Sequence, residues 1–177
     1  GGSIACENWT ISRVLAQNFG IGVQCAGCKG LLIEHSYWYI GWAKEAIRGQ
    51  VHASDMTVRW SIFEDSCQKD PADPTSGCTA EIGIWDGGSG AFDNVKVYGN
   101  VFYKTTNSHN SDAVVLVGGG PNWAGSPTNN TLVYNNTIAG YKSGSSRIQV
   151  NGGSGNTCRN NVWYNILSGV GTGASCG

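Results

Sequence analysis

The chain has 177 residues, enough for one domain with a sizeable core, and a formal charge of −1, which leaves no basic field for nucleic acid. Its 27 glycines, four prolines and 13% charged residues favour many short strands joined by tight turns over helices. No apolar stretch approaches the roughly 20 residues of a membrane span, and nothing has the pattern of a signal peptide.

In chain order, the expected strands come as a repeating set. A strand with inward Ile11 leads to a turn position at Val14, and IGVQC follows as a strand of a second series. Ile33 and Ser36 repeat the first part, followed by EAIRG; Val58 and Ser61 repeat it again, followed by EIGIWDGG. Then come Val97 and Asn100 in VKVYGNVFYK before VVLVGGG, Val133 and Asn136 in TLVYNNTIAG before RIQVNGG, and Cys158 and Asn161 in NTCRNNVWYN. The inward positions are spaced by 22, 25, 39, 36 and 25 residues, so three intervals are bare coils of a solenoid and two carry insertions. One amide per coil at a fixed place can pair along a column, because it offers two donors and an acceptor with two lone pairs. Small hydroxyls or an apolar side chain take that position in the N-terminal coils. In the second series, alternation predicts Ile82, Ile84, Ile148 and Val150 inward, and Glu81, Trp85, Arg147 and Gln149 outward. The glycine runs that follow suit a turn with positive φ.

Seven cysteines indicate an oxidising compartment, and the odd number leaves a thiol over. Cys158, at an inward position, is expected to be that thiol. Cys67 and Cys78 bracket QKDPADPTSG and are expected to form a disulfide at the loop's base. Cys25 and Cys28 have redox or half-zinc-site spacing, but no second C-x-x-C or H-x-x-H accompanies them, so they are read as turn cysteines. No metal or other cofactor is expected. The sequons at Asn8, Asn129 and Asn135 carry no weight in so asparagine-rich a chain.

The YNN, RNN and YGN units and their coil spacing resemble the right-handed parallel β-helix repeat proteins, the pectate-lyase-like superfold. The resemblance runs over nearly the whole chain. It implies an all-β fold, a single-stranded right-handed parallel β-helix (solenoid) of about six coils with an asparagine ladder, in one domain over residues 1–177. Six coils make a rod of roughly 29 Å, short for this architecture. With no capping helix evident, the chain reads as a mature secreted form or a fragment lacking end caps, and the uncapped ends suggest a homo-oligomer. No segment matches the catalytic signatures of pectate lyases, polygalacturonases or pectin methylesterases, and no aspartate cluster resembles a lyase calcium site.

In this superfold polysaccharide lies across the outer face of the first strand of each coil. The resemblance assigns that place to the series with EIGIW and RIQV, walled by Tyr37 to Lys44, Gln68 to Thr79 and Tyr103 to Ser111. Arg48, Glu81, Trp85, Arg147 and Gln149 are expected on that face, with Lys44, Glu45, Asp86, Lys104, His109 and Asp112 at the strand ends. For β-elimination on a uronate, Arg48 or Arg147 would neutralise the carboxylate, and Lys104 or His109 would take the proton. For hydrolysis, Glu81 with Asp86 or Asp112 would flank the bond. Charged residues on a solvated sheet face equally need no function, and His35 and His52 read as structural. Trp38, Trp42, Trp85 and Trp123, with Tyr37 and Tyr39, are candidate saccharide-stacking rings, unless alternate members of YWYIGW pack inward. Three functions follow: an extracellular or cell-surface lyase or glycoside hydrolase, a non-catalytic glycan-binding or adhesive module, and a structural segment of a surface or fibre protein.

Overall fold

The computed structural model describes residues 6–42, 44–51, 53–68, 70, 72–73, 77–85, 92–105, 113–119, 127–141 and 148–166. The described residues are all β and contain no helix. Numbered along the chain, β1 (Thr10–Ser12), β4 (Leu32–Glu34), β7 (Thr57–Arg59), β11 (Lys96–Tyr98), β15 (Leu132–Tyr134) and β18 (Thr157–Arg159) form one parallel sheet. A second contains β2 (Leu15–Phe19), β5 (Tyr37–Gly41), β8 (Ile62–Glu64), β12 (Val101–Tyr103), β16 (Thr137–Ala139) and β19 (Val162–Tyr164). A third contains β3 (Val23–Ala26), β6 (Ile47–Gln50), β9 (Ala80–Ile84), β13 (Ala113–Val117) and β17 (Ile148–Val150). The inserted strands β10 (Phe92–Asp93) and β14 (Thr128–Asn129) pair with each other. The chain visits the three main sheets in turn, a solenoid-like stacking of parallel strands.

Register follows the apolar positions. Ile11, Ile33, Val58, Val97, Val133 and Cys158 pair in sequence across the first sheet, as the spacing predicts. The turn after that sheet is tied coil to coil. Val14 N–H donates to Ser36 Oγ at 3.2 Å, Ser36 N–H to Ser61 Oγ at 3.2 Å, and Ser61 N–H to Asn100 Oδ1 at 3.0 Å. Asn100 N–H and Nδ2 donate to Asn136 Oδ1 at 3.0 and 3.1 Å, and the same atoms of Asn136 donate to Asn161 Oδ1 at 3.1 and 2.9 Å. The residue before each turn position has positive φ: Arg13, His35, Trp60, Gly99, Asn135 and Asn160 lie between 49° and 65°. Asparagine and glycine adopt that conformation at least cost.

The core is stacked in the same register. Trp38, Phe63, Phe102, Ile138 and Trp163 face inward from successive strands of the second sheet, with Phe63 and Phe102 stacked at 4.9 Å. Trp38, 1% exposed, is therefore a core residue and not a stacking ring on the surface. Tyr37–Gly41 is strand β5, not a loop wall. Cys67 and Cys78 are bonded as expected. Cys158 is also disulfide-bonded, which corrects its reading as the odd thiol.

Candidate functional site

One outward column of the second sheet is occupied in turn by Gln17, Tyr39, Glu64, Tyr103, Ala139 and Tyr164. Ala139 is the smallest of these, and it lies between two tyrosines. The result is an open depression of about 290 Å³, lined by Tyr103, Lys104, Thr105, Ala139, Gly140, Tyr164 and Asn165. Tyr103 is 43% and Tyr164 71% exposed, so both phenols are available. Two ladder steps separate their strands by about 9.5 Å. That admits one flat ring between two others at the close end of the roughly 4.5–7 Å range of ring-to-ring separations.

The slot's wall is held from beneath. Gly140 has φ +77°, and a Cβ there would come within 2.2 Å of the Lys104 carbonyl, so the floor admits glycine alone. Thr105 N–H donates to Asp65 Oδ1 at 3.0 Å and its hydroxyl donates to Oδ2 of the same residue, which fixes this wall residue. Lys104 lines the slot through its backbone, because its side chain is 0% exposed and is ion-paired with Glu81. Tyr141 donates to Glu81 Oε1 at 3.1 Å, and Ser66 donates to Oε2. Burial pulls the Lys104 ammonium below the ordinary lysine value, against the opposing pull of Glu81 and Asp65. Burial, then the Glu81 charge, pushes the Tyr141 phenol well up. Beside this cluster, the Tyr37 phenol donates to Glu64, which with partial burial raises it to about 12.

Glu81 thus lies inside, not on the outer face. Val114 and Val115 both join the main core, whereas Ala113 and Leu116 pack with Ala80 and Trp85 in a separate small cluster. Alternation breaks there in β13, and the register sets Glu81 against the break, so it turns inward beside Ile82. Lys104, paired to it, is not a base presented to solvent.

On the outer face of the third sheet, Arg48 Nε donates to Glu45 Oε2 at 2.7 Å, and its guanidinium lies 5.5 Å from the Trp85 ring centre. Gly83, next to Arg48 in register, makes room for this group, since a Cβ there would come within 2.8 Å of Trp85 Nε1. Arg48 and Trp85 therefore lie together, with Arg48 already committed to a carboxylate. Trp42, half-buried, pairs with Gln68 through a backbone β-bridge. Lys44 is exposed, and Gln149 is buried. His35 packs against Trp60 at 5.1 Å, a structural contact. Asp86, His109, Asp112, Trp123 and Arg147, and His52 with them, lie outside the described residues. Sequence reasoning missed Tyr103 and Tyr164. The signal was in the aligned strand ends, which read tyrosine, alanine and tyrosine in VFYK, TIAG and VWYN.

No protein-family model, curated protein or solved structure matches the chain. Among the described residues no helix is long and apolar enough to cross a membrane.

Proposed function

We propose that the protein is a saccharide-binding module, a right-handed parallel β-helix of the pectate-lyase-like kind with an asparagine ladder at Asn100, Asn136 and Asn161. The handedness rests on the near-universal right-handed crossover between parallel strands. The observation that carries the binding reading is the slot: two exposed tyrosines two coils apart with alanine between them and polar Thr105 and Asn165 at its edge. Sugar rings present C–H faces to aromatic rings and hydroxyls to polar edges, so this slot suits one residue of a glycan chain. The disulfides fit an oxidising environment, which supports an extracellular or cell-surface location.

A binding module is favoured over a lyase or hydrolase because Glu81 and Lys104 neutralise each other in the interior and Arg48 is paired with Glu45. Affinity electrophoresis through gels containing neutral or uronate polysaccharides tests the reading, with reducing ends and unsaturated products measured alongside. Retardation by at least one polysaccharide, lost in Tyr103→Ala and Tyr164→Ala and unaccompanied by product, is expected. Product formation would overturn this reading in favour of a lyase or hydrolase. No retardation in any gel would refute saccharide binding.

A further inference from the structure

Three cysteines meet at the start of the solenoid. Lys29 N–H donates to the Cys6 carbonyl at 2.9 Å, which sets Cys6 beside Cys28 with Cα atoms 4.7 Å apart. Gly27, at φ +67°, turns the chain between Cys25 and Cys28, whose Cα atoms are 5.7 Å apart. Both separations lie in the range that a disulfide spans. The three sulfurs lie within 4.8 Å of one another, and those of Cys6 and Cys25 are 3.8 Å apart.

Cys28 stands within disulfide reach of both Cys6 and Cys25. A sulfur carries one disulfide, so these are two alternatives, and in each a third thiol is held against the bond. Cys67, Cys78 and Cys158 are bonded elsewhere, so the odd thiol belongs to this trio. Cys25 and Cys28 are buried, whereas Cys6 is half-exposed.

We propose that Cys6, Cys25 and Cys28 form a thiol–disulfide exchange site that takes up a small thiol as a mixed disulfide on Cys6. With Cys25 and Cys28 bonded, Cys6 holds the thiol, loses its proton to solvent, and is the accessible member of the trio. Its thiolate attacks a low-molecular-weight disulfide; a new bond joins Cys6 to one half, and the other half leaves as thiolate with the electron pair. The competing internal step forms the Cys6–Cys28 bond, breaks the Cys25–Cys28 bond and returns the electron pair to Cys25, which takes up a proton inside the protein. Neither step changes the net oxidation state. The internal step withdraws the reactive thiol from the surface.

Peptide mapping of the wild-type protein, alkylated at low pH and cut with trypsin without reduction, tests this. Cleavage after Arg13 and Lys29 separates Cys6 from the segment holding Cys25 and Cys28. Two forms are expected: a looped 14–29 peptide with Cys6 alkylated, and a crosslinked pair with Cys25 alkylated. Incubation with oxidised glutathione should add one glutathione per chain, on Cys6, and both Cys6→Ser and Cys25→Ser should reduce this at least tenfold. The variants act for opposite reasons, since Cys25→Ser leaves Cys6 bonded to Cys28. A single crosslinked form that takes up no glutathione would overturn the proposal. So would three reduced thiols holding stoichiometric zinc in the isolated protein, because the trio would then be a thiolate metal site.

Discussion

Replacing Asn136 by leucine removes the best-connected side chain of the turn column at nearly constant volume. Asn136 is 1% exposed. Its Oδ1 accepts from Asn100 N–H at 3.0 Å and Asn100 Nδ2 at 3.1 Å, and its Nδ2 donates to Val97 O at 3.0 Å and Asn161 Oδ1 at 2.9 Å. At about 1 kcal/mol net for each, the four bonds amount to about 4 kcal/mol. The added apolar burial of leucine offsets part of this, which leaves a loss of about 3 kcal/mol, or roughly 6–12 °C in Tm for a chain this size. Asn136→Ser should cost less, because a hydroxyl can still accept from the neighbouring N–H, as Ser36 and Ser61 do. Lys96→Gln, on the exposed side of β11, should stay within about 0.5 kcal/mol. Urea denaturation followed by circular dichroism would rank the three. Equal midpoints for Asn136→Leu and Lys96→Gln would refute the view that the amide column stabilises the stack.

Glu81→Gln or Lys104→Met alone leaves a buried charge without its partner and should cost about 3–5 kcal/mol, whereas the double variant Glu81→Gln with Lys104→Met should recover much of it; a double-mutant cycle in urea measures the coupling. Gly140→Ala forces a Cβ against the Lys104 carbonyl at positive φ and should destabilise by about 2 kcal/mol or more, read as a fall in Tm. Tyr37 keeps its proton to about pH 12 when folded and loses it near pH 10 when unfolded. Its contribution is therefore complete below pH 10 and lost as pH rises towards 12, so Tyr37→Phe should flatten the alkaline decline in stability.

Much of the fold was legible because one constraint repeats. A β-branched or small apolar residue two places before each polar pair must face the core, and all six such positions align in register, even where the turn residue is serine or valine. Glu81 was misread because strict alternation was assumed for its strand, while its inward turn depends on the break beside it and on Lys104, contributed by a different sheet. Trp38 was misread because an aromatic run does not reveal which of its members a neighbouring Phe63 will stack upon. The slot went unseen for a related reason. Tyr103, Ala139 and Tyr164 are far apart in the chain and form a feature only when the strand ends are compared as a column.

The most direct test of saccharide binding at the slot is calorimetric titration of the wild-type protein and of Ala139→Trp with oligosaccharides from whichever polysaccharide retards it. A tryptophan at Ala139 should fill the gap between Tyr103 and Tyr164 and abolish binding while leaving Tm within a few degrees. Unchanged affinity in a folded Ala139→Trp protein would place any glycan elsewhere and contradict the slot.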